Sequence, residues 1–343
     1  MKLVLSVFIA LLLCERFSPI TCSIGDTSQV YRSCLNKFEK ENCTNNGQSF
    51  KSKSGLQQDF WSRLMQWTCR DECRYQCMWI TVTMFHNAGQ DTPKFHGKWP
   101  FIRILGMQEP ASVFASVLNF ATNAYMYKKI RRLPTSKSYV APFTKLWRGF
   151  AMVCMNAWTW STIFHARDTS FTEFMDYACA LSMVMGLFVT AVVRVFYSRS
   201  KLMTFTVLLV PLFYFVTHVR YLYAGVINYD YNMKVNVVFV GLGVHNSVYL
   251  PGVTGSLLWL AVSWRQWVSG RRYAWRMVAF TLLSGAALAL ELFDFPPKLS
   301  AWDAHALWHL STAPLPLIFY RYVIDDLRYL ASNDLEKFPL KLT

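Results

Sequence analysis

Asp303-Ala-His305-Ala306-Leu-Trp-His309 opens the last long apolar stretch of the chain, Ala306 to Val323, before charge returns at Asp325. Histidines at i and i+4 share one face of a helix, so both imidazoles can address one metal ion. The pattern is short and arises readily by chance. Its meaning turns on two questions: whether the stretch belongs to a set of membrane spans, and whether other spans bring polar groups to the same depth.

Of the 343 residues, 53% are hydrophobic, 16% aromatic and only 16% charged, an apolar excess that fits a polytopic membrane protein. The net charge of +15 raises nucleic acid as a partner. The lysines and arginines gather in short loops between apolar segments, however, where the positive-inside rule puts them, and no nucleic-acid role is expected.

Residues 1–23 read as a secretory signal, with Lys2 as the basic start, Leu3 to Leu13 as the apolar core and Ile20-Thr-Cys-Ser23 as the cleavage zone. That core is too short for a bilayer of about 30 Å, which needs roughly 20 residues. The mature N-terminus should then face the oxidising secretory lumen.

Residues 24–101 form a polar luminal region carrying Cys34, Cys43, Cys69, Cys73 and Cys77. The odd number allows two disulfides and a free thiol, with Cys22 as a sixth cysteine if cleavage precedes it. The spacing of Cys69, Cys73 and Cys77 also suits a metal site, though disulfides fit the compartment better. Asn42-Cys43-Thr44 is a glycosylation sequon on the luminal side. With so small a core, this head is expected to pack over the membrane portion.

Seven apolar segments follow in residues 102–324, near Ala111–Tyr127, Leu146–His165, Phe174–Phe196, Leu202–Tyr223, Val235–Trp264, Met277–Phe293 and Ala306–Val323. They predict an all-α membrane protein, a seven-transmembrane helix bundle behind a small disulfide-bearing head. Lys128, Lys129, Arg131, Arg132, Lys137, Lys145 and Arg148 lie between the first two segments. Arg194, Arg199 and Lys201 follow the third, and Arg265, Arg271, Arg272 and Arg276 follow the fifth. These loops should be cytosolic and the alternating ones luminal, in agreement with the signal segment; residues 325–343 become a cytosolic tail. The fifth segment is over-long for one simple span, interrupted by His245-Asn246 and Pro251-Gly252.

In this topology the second segment ends at the lumen with Ser161-Thr-Ile-Phe-His165. The third begins there and carries Asp176, and the seventh begins there with His305 and His309. Ionisable groups at membrane depth are costly and usually functional. Three histidines with a fourth position open make a catalytic zinc arrangement, in which the ion activates a water near neutral pH. Asp176 is suited to hold or deprotonate that water, and Ser161 to hydrogen-bond a developing oxyanion. His86, His96, His218 and His245 have no comparable company.

These residues resemble the superfamily of seven-helix membrane hydrolases that includes the alkaline ceramidases and adiponectin-receptor-like proteins. Ser161, His165 and Asp176 match its S-x3-H with an aspartate eleven residues on, and His305 and His309 its late HxxxH. Within it, the chain is most similar to the post-GPI-attachment to proteins factor 3 family. The likeness runs through Trp67-Thr-Cys69-Arg-Asp71-Glu-Cys73-Arg-Tyr75-Gln-Cys77-Met78, Lys98-Trp-Pro-Phe101 and Gly106-Met-Gln-Glu-Pro-Ala-Ser-Val113. It continues in Phe164-His-Ala-Arg-Asp168, Glu291-Leu-Phe-Asp-Phe-Pro-Pro297 and Asp303 to His309; around Val248–Gly255 the chain departs from the family pattern. The resemblance implies removal of the unsaturated sn-2 fatty acid from the phosphatidylinositol of GPI-anchored proteins, which are then the substrate partners, in Golgi or ER membrane. Three rivals stay open on the sequence: a ceramidase-like amidase, a seven-helix receptor with structural zinc, and a chaperone in GPI-protein export.

Overall fold

The computed structural model describes residues 23–133, 140–197, 200–224, 251–298 and 301–337. The expected signal segment before Ser23, Cys22 and the first part of the fifth apolar segment with His245 lie outside the described residues.

The head is built on two helices, α1 (Gln29–Asn42) and α3 (Cys69–Asn87), with a short α2 (Phe60–Leu64) between them. A two-residue hairpin, β1 (Cys43–Thr44) with β2 (Ser49–Phe50), follows α1. Thr68 and Asp71 close a capping box at the start of α3, satisfying two backbone donors that a helix terminus leaves open. Cys69, Cys73 and Cys77 recur every four residues and so line one buried face of α3. Cys77 is bonded to Cys34 and Cys69 to Cys43, while Cys73 stays a thiol with its Sγ 3.6 Å from that of Cys43. The two-disulfide reading is therefore the structural one.

Asn42 of the expected sequon sits inside the head. Asn42 is 7% exposed, its Nδ2 donates to the Phe38 carbonyl at 3.0 Å, and its Oδ1 accepts from Ser54 and Gly55.

Behind the head, the described residues form eight further α-helices: α4 (Pro110–Arg131), α5 (Ala141–Ala166), α6 (Ser170–Phe196), α7 (Lys201–Tyr223), α8 (Pro251–Val268), α9 (Trp275–Phe293), α10 (Ala304–Thr312) and α11 (Leu315–Lys337). Among the described residues the chain is all-α apart from the small hairpin and isolated bridges. Each of the seven apolar segments coincides at least in part with a helix. Among the described residues, three helices are long and apolar enough by themselves to cross a membrane: Ser170–Phe196 with mean hydropathy 2.1, Lys201–Tyr223 with 1.9 and Arg272–Glu291 with 1.4. α7 packs against α6 and turns Leu202, Phe205 and Phe213 outward, a surface suited to hydrocarbon and costly in water.

Two elements differ from the sequence expectation. The last apolar segment is two helices, broken between Thr312 and Leu315, because Pro314 and Pro316 lack the N–H groups that would continue the ladder. The second of them runs on past Asp325 to Lys337. In the fifth segment, the described part, Pro251–Val268, is helical and includes the Pro251-Gly252 pair read as an interruption; the part before it lies outside the described residues.

The main core joins α4, α5, α6, α8, α9 and α11 around Trp147, Trp259, Phe319 and Tyr322, with Trp147 to Trp259 ring centres 5.8 Å apart. Beside it lies a buried polar knot. The Asp326 carboxylate accepts two bonds from Arg194, at 2.7 and 3.0 Å, and one each from Gln266 and Tyr273 at 2.9 Å. On α6, Arg194 stands about 27 Å from Asp176 at 1.5 Å per residue, so the knot and the expected site occupy opposite ends of the bundle.

Candidate metal centre

Two elements deliver the three histidines. His165 is on the last turn of α5, which ends where Arg167 takes an extended conformation. His305 and His309 are on α10, whose start is fixed by Asp303 accepting the Ala306 N–H at 2.8 Å. α10 packs against α4 and α9, and that packing brings its histidine face to the end of α5.

The imidazoles meet through their Nε2 atoms. His305 Nε2 is 3.3 Å from His165 Nε2 and 2.9 Å from His309 Nε2. On a tetrahedral zinc ion at about 2.0–2.1 Å, nitrogen ligands stand roughly 3.3 Å apart. Each opposite nitrogen is engaged. His165 Nδ1 is 2.7 Å from Glu109 Oε2, His305 Nδ1 is 2.7 Å from Glu291 Oε2, and His309 Nδ1 is 3.0 Å from Ser116 Oγ. An ionised carboxylate can only accept, so it fixes the hydrogen on Nδ1 and leaves the Nε2 lone pair free for a metal. Lone pairs converging on one point repel unless a cation sits among them. The donor set fits zinc, as the three histidines form one of two groups with metal-ligand spacing among the described residues. The other, Cys43, Cys69 and Cys73, has two of its sulfurs joined in a disulfide.

The remaining expected residues gather at the same place. Ser161 is 5% exposed, and its Oγ is 3.2 Å from Ser116 Oγ, which also meets His309. Asp176, half-buried on the second turn of α6, stands beside Ser161 within electrostatic reach of His165 and His305. Sequence reasoning missed Glu109, Glu291 and Ser116. Both glutamates lie in stretches singled out above, yet no periodicity relates them to their histidines. Glu109 precedes α4 and Glu291 lies in the last turn of α9, neither helix carrying a histidine ligand, so no local pattern signals the pairings.

Residues 59–327 match the family model described as the Per1-like family. The chain belongs to the Per1-like family. Relatives cover nearly all of it. It is 39% identical over 320 residues to the Drosophila melanogaster protein named post-GPI attachment to proteins factor 3, covering 92% of each chain. It is 40% identical over 329 residues to a GPI-specific phospholipase A2-like protein of Xenopus tropicalis, covering 93% of this chain and 95% of the relative. The Homo sapiens protein of the same description is 38% identical over 321 residues, 93% of each. In this Per1-like chain, every residue of the candidate centre falls inside the span that matches the family model.

Proposed function

We propose that this chain is a zinc-dependent membrane hydrolase that removes the sn-2 acyl ester from the phosphatidylinositol of GPI-anchored proteins. The observation that carries the reading is the convergence of three Nε2 atoms whose Nδ1 partners are all engaged. It occurs in a chain that is 38% to 40% identical, over 93% of its length, to proteins named GPI-specific phospholipase A2-like.

His165, His305 and His309 hold the ion; bound zinc supplies Lewis acidity and an activated water. Asp176 would orient such a water and accept its proton, as an acid within electrostatic reach of His165 and His305 that neither glutamate pairing uses. Ser161 donates to the oxygen on which negative charge develops, and Ser116 orients both Ser161 and His309. Glu109 and Glu291 hold the rings of His165 and His305. In the proposed topology seven spans, α4 to α9 and then α10 with α11, place this centre in the luminal leaflet of a Golgi or ER membrane. The head of residues 24–101 lies over it and the chain after residue 324 lies in the cytosol. Three of those spans meet the length and hydropathy requirement alone; burial against neighbours lets the others carry polar residues.

The test is lipid analysis of GPI anchors from cells lacking the protein, rescued with wild type or His309→Ala. Unsaturated sn-2 chains should persist in the knockout and in the His309→Ala rescue, and disappear with wild type. Normal remodelling by His309→Ala would end the hydrolase reading of this site. Purified protein that cleaves ceramide and leaves GPI lipid intact would favour the amidase alternative.

A further inference from the structure

Lys98-Trp-Pro-Phe101 has so far carried only the family resemblance. Lys98 closes a small strap, the antiparallel bridge Phe95↔Lys98, which reverses through positive φ at His96 (49°) and Gly97 (83°). Its Nζ is 2.8 Å from Glu109 Oε1, 2.8 Å from Asp168 Oδ2 and 4.2 Å from the Phe164 ring centre. Glu109 is 5% exposed, and its other oxygen meets His165 Nδ1. The Glu109 N–H also donates to the His165 carbonyl at 3.0 Å. One carboxylate therefore stands between a lysine of the luminal head and a histidine of the bundle.

We propose that Lys98 is a positioning residue of the metal centre. By holding Oε1 of Glu109 it fixes the plane of the carboxylate that orients His165, so the head completes the zinc site from outside the bundle. The inference rests on reading the three histidines as zinc ligands. The torsion at the end of a glutamate side chain is broad and twofold, so a single bond to the imidazole leaves the carboxylate free to turn. The second anchor removes that freedom. Lys98 is in turn held by Asp168, in the turn between α5 and α6. The far side of the strap is tied elsewhere: Lys94 pairs with Asp294, and Trp99 Nε1 donates to Asp294 at 2.9 Å. Lys94 thus supplies a control on the same strap, with no bond to Glu109.

The experiment measures zinc content and the zinc dissociation constant of the purified full chain by chelator competition. The proteins are wild type, Lys98→Met, Lys94→Met, Glu109→Gln, the Lys98→Met/Glu109→Gln double variant and His309→Ala. Loss of an outer partner of a ligating histidine costs about 10–100-fold in affinity or activity, and Lys98→Met should weaken zinc binding about tenfold, with hydrolysis recovering in excess zinc. Lys94→Met should bind zinc as wild type does. The double variant should bind no more weakly than Glu109→Gln, since Lys98 acts through that carboxylate. Unchanged affinity in Lys98→Met overturns the proposal, as does equal weakening by Lys94→Met or full additivity in the double variant. Lys98→Gln takes the place of the methionine variant should that one fail to fold. Wild type without zinc, or His309→Ala that keeps it, would instead overturn the zinc reading itself.

Discussion

Cys73 shows how a residue's surroundings decide its chemistry. It shares a face of α3 with two disulfide-bonded cysteines, yet is itself unpaired and wholly enclosed. Burial, with the charges of Glu39 and Glu72 adding to it, pushes its thiol up from 9.0 to about 11. The folded head therefore holds this proton more tightly than the unfolded chain does. The stability that follows is complete below about pH 9 and is lost as pH rises toward 11. Thiol-specific alkylation at pH 7 should spare Cys73 in the native protein and modify it once the head is unfolded, read by peptide mapping without reductant. Thermal unfolding compared at pH 8 and pH 10 should show a drop that Cys73→Ala reduces. Rapid labelling of native Cys73 at pH 7 would contradict the enclosure.

Among the elements, α6 carries both polar centres, Asp176 near its start and Arg194 near its end. Arg194 binds Asp326 of α11, which also gathers Gln266 of α8 and Tyr273 just before α9, while the Tyr322 hydroxyl donates to Gln266. Removing one partner of a buried pair typically costs about 3–5 kcal/mol, because the other is left uncompensated. Asp326→Ala should lose stability of that order, read as a lower melting temperature, while zinc content stays at the wild-type level, since the metal centre is at the other end of the bundle. An Arg194→Met/Asp326→Leu double variant should regain much of the loss, two apolar side chains replacing two charges. Loss of zinc in Asp326→Ala would show that the two ends are coupled.

For the whole molecule, the metal centre is a long-range fastening: His165 and His305 are 140 residues apart in sequence, and their Nε2 atoms are 3.3 Å apart. An ion that binds only the folded arrangement stabilises it by mass action. Chelator should therefore lower the melting temperature of the wild-type protein and abolish hydrolysis, with added zinc restoring both. His309→Ala should show a melting temperature indifferent to chelator. A chelator-insensitive wild type would argue against resident zinc.

The sequence alone determined where the long apolar helices lie and which face carries the Ser161–His165 and His305–His309 pairs. Apolar runs of membrane length, loop charges and i,i+4 spacing follow from local periodicity, so the histidine turn at His305 and His309 and the Ser161–His165 turn were legible before any fold was known. The break at Ala313-Pro314 was missed, although proline's effect is local, because the unbroken apolar run reads as one span. Only the tertiary structure decided which acids serve which histidines. Glu109 reaches His165 across 56 residues and Lys98 comes from another region of the chain. Asn42 reads as a surface sequon until packing encloses it. The physical reason is range: backbone geometry repeats every few residues and leaves a pattern in the chain. A hydrogen bond between distant segments depends on how whole helices pack, and it has no period to read.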